Sequence, residues 1–158
     1  MILGLDPATS CGFAVLRPNG TRVQSGAWDL SPMPTEGEGV DTGSRFWQLH
    51  DHLDRLLVTW PKISRVAYER IGGQVKSQDV ALVLYGLAAH VESWASKNSL
   101  EYRPFAPAEV KNAAGLKGNA EKHEMVAAAE RVWAPHSVET SDEADALFCA
   151  LALLKEGT

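Results

Sequence analysis

The chain has 158 residues, 45% of them hydrophobic and 22% charged, with a formal net charge of −5. These proportions exclude a disordered or fibrous chain and suit one globular domain over residues 1–158. The acidic balance weighs against nucleic-acid binding, which needs Lys and Arg to neutralise phosphate, unless charge is segregated by face or the surplus acids hold cations.

Residues 1–5, Met-Ile-Leu-Gly-Leu, are a short apolar run that predicts a buried central strand, ended by Asp6. A tight turn over 7–11 leads to a second strand at 12–16. Asn19-Gly20 is a hairpin signal before a third strand at 22–30. Residues 31–41 are rich in Pro and Gly and read as a loop. From about 42 to 59, Phe46, Leu49, Leu53, Leu56 and Leu57 recur at helical spacing, and Pro61 ends that helix. A fourth strand is expected at 63–70, with Val66 and Tyr68 on one face and Ala67 and Glu69 on the other. Gly72-Gly73 marks a loop. A long helix follows at 78–97, a fifth strand at 101–105, a short helix at 107–114 and a longer one at 120–133. The last helix, 141–155, is apolar on nearly every side and belongs against the sheet. Hairpins first and helix–strand alternation afterwards imply an α/β fold. Its sheet would be five-stranded and mixed, three antiparallel strands then β-α units, flanked by helices.

No apolar run is long enough to span a bilayer, and the first residues lack the features of a signal peptide. A cytoplasmic location with no membrane partner is expected. Cys11 and Cys149 lie inside apolar runs without metal spacing and read as buried thiols.

Four carboxylates carry the functional reading. Strands one and four should pair side by side, because a helical crossover links them. Asp6 and Glu69 then sit at the C-terminal strand ends, where crevices form in α/β sheets. Asp142 and Asp145 are three apart and share one face of the last helix. Each has an ordinary explanation taken singly. A turn Asp bonds its own backbone. Acids in a first helical turn suit the dipole, with Ser141 as N-cap. Glu69 could pair with Arg65 or Arg70, but both are expected on the opposite face. Asp145 fits such explanations worst, being set among apolar residues where an unpaired charge is costly. Taken together, three elements deliver the acids to one end of the sheet. Such a cluster repels itself unless cations fill it, and oxygen-only ligands select Mg²⁺ or Mn²⁺ over Zn²⁺. Two ions about 4 Å apart form the two-metal arrangement for phosphodiester cleavage. Helical spacing favours Asp142 over Glu143 as the completing ligand without deciding between them.

The stretches ILGLDPATSCGFAVL, VAYER and SDEADALFCALAL resemble the RuvC family of Holliday junction resolvases, with an RNase H-like nuclease fold. The segment APAEVKNAAGLKGNAEKHEMV is similar to the part of that family that precedes its final acids. The resemblance implies a homodimer that binds a four-way DNA junction and nicks two strands symmetrically. It implies two Mg²⁺ ions per active site, with Mn²⁺ substituting, held by Asp6, Glu69, Asp142 and Asp145. Lys111 and Lys122 fall on the family's two lysines near the scissile phosphate, and Lys122 is the candidate for stabilising charge developing there. Lys117 would lie on the DNA side. From position alone all three lysines read equally as solvated.

The best-known bacterial resolvases of that family carry a bulky aromatic shortly after the strand-four Glu. Here the loop reads Arg70-Ile71-Gly72-Gly73-Gln74-Val75-Lys76, without an aromatic, and Gln74, Lys76 and Ser77 are the candidate DNA contacts. A short, divergent chain of this kind suits a phage or prophage enzyme. Broader cutting of flaps and forks is therefore one alternative, and a non-catalytic DNA-binding relative is another. A nucleotide-binding ATPase of the actin and hexokinase kind needs two such domains, and the chain has room for one.

Overall fold

The computed structural model describes residues 1–73 and 77–157. The elements in chain order are β1 (Ile2–Asp6), β2 (Ser10–Leu16), β3 (Arg22–Asp29), β4 (Met33–Pro34), β5 (Val40–Asp41), α1 (Ser44–Thr59), β6 (Arg65–Glu69), α2 (Gln78–Lys97), β7 (Glu101–Phe105), α3 (Pro107–Ala113), α4 (Lys122–Val132) and α5 (Ser141–Glu156). The five-stranded sheet has the order β3-β2-β1-β6-β7. β1 runs antiparallel to β2 and parallel to β6, and β6 runs parallel to β7. The mixed sheet and the pairing of the first and fourth predicted strands are thus as expected. Two expectations change. The second strand begins at Ser10, so the turn is shorter. The predicted loop over 31–41 holds the small β4–β5 hairpin, whose two-residue strands are too short to leave a period in the sequence.

Period-two alternation sorts the sheet residues onto two faces. Leu3, Leu5, Cys11, Phe13, Val15, Val66 and Tyr68 pack under α1 and α2, against Leu49, Leu53, Leu87, Val91 and Trp94. Ile2, Ala14, Leu16 and Ala67 pack on the other face, against α5 and its neighbours. The two cysteines lie in different cores, both buried and both free. Among the described residues no helix is long and apolar enough to cross a membrane.

Two glycines set how closely α5 lies on the sheet. A Cβ at Gly4 would come within 2.0 Å of the Ala146 carbonyl oxygen. At Gly12 it would come within 1.8 Å of the Asp142 carbonyl oxygen. Any side chain at either position would lift the helix. With glycine there, the first turn of α5 rests on β2 beside the end of β1, and its next turns rest on β1 itself. The N-cap of α5 is Thr140, whose Oγ1 accepts from the Glu143 amide at 3.1 Å. This corrects the expected Ser141 by one residue. Both hydroxyls suit a cap chemically, and only the backbone path distinguishes them.

Candidate active site

β1 and β6 are in parallel register, with Leu5 beside Tyr68, so Asp6 and Glu69 end neighbouring strands. By alternation both side chains fall on the α5 face, in step with Gly4 and Ala67. Gly12 is the rung partner of Asp6 and is also where α5 touches down with Asp142. Asp145, one turn further, follows on the same side of the helix. Three elements therefore bring the four acids to one end of the sheet.

The acids feel one another. Burial raises the Asp6 carboxyl well above its usual range, and the charges of Glu69, Asp145 and Asp142 raise it further. Glu69 is pushed up to about 7, first by burial and then by Asp145. Asp145 is pushed up to about 6, first by burial and then by Asp142. Cys149, one turn beyond Asp145, lies fully buried beneath the cluster. Burial and the acids above keep its thiol protonated, so it is core and not a ligand.

Two lysines oppose this repulsion. The Lys122 ammonium lowers Asp6 and Asp145, and Lys111 lowers Glu69 and Asp145. Lys111 also donates to the Gly118 carbonyl at 3.1 Å, which anchors it across the α3–α4 loop. Lys117 sits exposed on that loop, away from these pairings, and its carbonyl accepts from the Ala120 amide.

Among the described residues no three His, Cys, Asp or Glu side chains are gathered tightly enough to hold a metal ion as they stand. Like charges favour that spread, and closing the cluster costs repulsion that a divalent cation offsets. The donor chemistry does fit a hard cation. All four groups are carboxylates, their neighbours are two lysines, and no nitrogen or sulfur ligand joins them. A cleft of about 230 Å³ runs beside them, lined by Asp6, Glu69, Ile71, Gly72, Leu84 and Pro107 among others. A larger cavity of about 560 Å³ lies at the opposite end of the sheet, beside Met1, Arg17 and Lys62, and is lined by no acid.

A family model for crossover junction endodeoxyribonuclease RuvC matches residues 2–153. The chain belongs to the RuvC family. It is accordingly an endodeoxyribonuclease by family, a hydrolase, and RuvC nucleases depend on divalent metal. No individual curated protein matches the chain. Solved structures share its fold, among them the following three. Thermus thermophilus RuvC in complex with a Holliday junction substrate is 18% identical, covering 99% of this chain and 94% of that one, with a TM-score of 0.79. A second Thermus thermophilus RuvC structure is 20% identical, covering 99% and 96%, with a TM-score of 0.76. The yeast mitochondrial Holliday junction resolvase Ydc2 is 14% identical, covering 98% and 77%, with a TM-score of 0.58. The five-stranded sheet with flanking helices is therefore the RNase H-like fold of RuvC.

Of the other predicted site residues, Ser77 caps α2, its Oγ accepting from the Val80 amide at 3.3 Å. Gln74 and Lys76 lie outside the described residues. Glu143 is settled by its contacts. It is 3% exposed and accepts from Arg22 at 2.9 Å, from Ser25 at 2.6 Å and from the Glu139 amide at 2.9 Å. It is committed to β3 and to its own N-terminal approach, which leaves Asp142 with the cluster. Arg65 corrects another expectation. It shares the face of Glu69, as residues four apart on a strand do. It sits at the far end of β6, where its guanidinium approaches Gly157. Glu69 still lacks it as a partner, through distance and not through facing.

Sequence reasoning missed three supporting side chains. Arg22 and Ser25 become visible only when β3 folds over Glu143. Ser10 donates its Oγ hydrogen to Asp142 Oδ2 at 2.6 Å. Its only sequence signal is parity with Gly12, two residues on along β2.

Proposed function

We propose that the chain is a Mg²⁺-dependent, structure-selective endonuclease that resolves four-way DNA junctions by paired, symmetric nicks. The observation that carries this reading is the convergence of Asp6, Glu69, Asp142 and Asp145 from β1, β6 and α5 on one sheet end. Burial first, and then the neighbouring acids, raise the Asp6, Glu69 and Asp145 carboxyls there. These residues would hold two ions, with Mn²⁺ able to replace Mg²⁺. When bound, the ions supply Lewis acidity and an activated water for phosphodiester hydrolysis.

The chain's own residues do the rest. The four acids would fix the cations at the end of the sheet, since carboxylates alone repel the scissile phosphate. Lys122 and Lys111 stand beside them and offset charge gathering on that phosphate. Lys117 on the α3–α4 loop, with Ser77 and the Gln74 and Lys76 side chains, serves the flanking DNA backbone. Symmetric nicking needs two sites, and α2 offers a face for a second copy. Leu82 and Tyr85, three apart on one face, are 66% and 61% exposed there.

The test is nicking of end-labelled four-way junction, fork and linear duplex in Mg²⁺, with wild type beside Asp6→Asn. Paired symmetric nicks confined to the junction and lost in Asp6→Asn are expected. Equal cutting of forks and flaps would keep the nuclease and replace resolution by broader debranching. A folded dimer that cuts none of them would sink the catalytic reading.

A further inference from the structure

Gly12 and Ser10 both point from β2 toward α5, two residues apart. Gly12 lets the Asp142 backbone descend onto the strand. Backbone contact does not fix the carboxylate, whose χ1 and χ2 remain to be set. Ser10 makes the short contact, donating to Oδ2 at 2.6 Å, and the adjacent Ser141 Oγ donates a longer bond to Oδ1 at 3.4 Å. Each carboxylate oxygen thus accepts from a neutral hydroxyl, and the bond from Ser10, on a separate strand, is the shorter.

We infer that Ser10 is a positioning residue for Asp142: its hydroxyl holds Oδ2 and so sets the rotamer in which the carboxylate meets a divalent cation. This rests on the metal-binding reading above. A hydroxyl suits the task because it orients the carboxylate without neutralising it, as a lysine would. Groups that orient a metal ligand this way set its rotamer before binding, so less side-chain entropy is lost when the ion arrives. The hydrogen bond is exposed to solvent. Water replaces it at little net cost when the hydroxyl is removed, so its loss should leave folding nearly untouched. That separates a positioning role from a structural one.

The experiment is Mn²⁺ binding to the purified full chain, followed by electron paramagnetic resonance of the free ion. Wild type, Ser10→Ala, Ser10→Thr and Asp6→Asn are compared, with metal-free urea unfolding of each. Ser10→Ala should weaken Mn²⁺ binding about tenfold, with a wild-type urea midpoint. Ser10→Thr keeps the hydroxyl and should restore the affinity. Nicking by Ser10→Ala should fall at limiting Mn²⁺ and recover at saturation, a change in the metal requirement and not in the maximal rate. Wild-type affinity in Ser10→Ala overturns the inference and leaves the metal site standing. So does a lowered urea midpoint, which would make the bond structural. Mn²⁺ uptake that Asp6→Asn leaves unchanged removes the metal site itself, and the role of Ser10 with it.

Discussion

Replacing Glu69 by Gln should stabilise the metal-free protein while destroying its metal response. The Glu69 carboxyl stands at about 7 instead of 4.5, because it is partly desolvated and faces Asp145. A raised native value means that the folded state keeps its proton after the unfolded chain has lost it. Between pH 4.5 and about 7 the native state binds more protons, so wild-type stability falls as pH rises through that window. At about 1.4 kcal/mol per pH unit, the full penalty above pH 8 approaches ~3 kcal/mol. Partial exposure screens the charge and trims this to about 1–2 kcal/mol. In a domain of this size that corresponds to a Tm higher by roughly 2–8 °C for Glu69→Gln. The assay is calorimetry of both proteins at pH 4 and pH 8 in chelator, then at pH 8 in Mg²⁺. At pH 8 without metal the variant should melt higher, and at pH 4 the gap should close. Mg²⁺ should raise the wild type and leave the variant nearly unmoved. A variant that melts no higher at pH 8, or that keeps the same advantage at pH 4, would refute the argument that burial and the facing Asp145 make the Glu69 charge unfavourable.

Gly12→Ala places a methyl 1.8 Å from the Asp142 carbonyl oxygen, so the first turn of α5 must retreat; a loss of about 3 kcal/mol or more in urea unfolding, together with loss of nicking, is expected. Arg22→Met removes the guanidinium partner of Glu143, a carboxylate 3% exposed. It should cost about 3–5 kcal/mol, and adding Glu143→Gln should recover much of that, because the cost lies in the orphaned charge. A double-mutant cycle in urea measures the coupling, and additive losses would show the pair to be independent.

How much of this was legible follows the range of each interaction. The central strand and its Asp6, the apolar last helix and the alternation of Val66, Ala67, Tyr68 and Glu69 all rest on patterns within a few residues. All stand in the structure. The two acids of α5 were placed on one face by their spacing alone. What failed was either very local or very distant. Thr140 and Ser141 are adjacent hydroxyls, and the cap falls to whichever residue takes the extended backbone, a choice made by the chain's approach to β3. Glu143 could not be separated from Asp142 by pattern, because its deciding partners lie more than a hundred residues away on β3. The facing of Arg65 was a parity slip that the strand itself corrects. Lys111 and Lys122 are singled out only by the family resemblance, because from position alone they read as solvated; their place beside the acids comes with the packing of α3 and α4.

The site and the core are two consequences of one close approach. Small residues on both sides, Gly4 and Gly12 below and Ala146 and Ala150 above, let α5 lie nearly backbone to backbone on β1 and β2. The buried Leu147, Phe148 and Leu153 of that helix fill the core alongside. That burial is large and does not depend on the acids. The helix therefore stays in place while its N-terminal end carries carboxylates that repel those of the sheet. Had the acids stood on a loop, repulsion would have moved the loop. Mounted on a helix locked by glycine contacts and by the Arg22–Glu143 pair, they cannot retreat far, and their unfavourable energy persists for the proposed cations to relieve. Substitutions that quiet the charges should therefore favour folding and abolish metal binding. Substitutions under the helix should damage both at once.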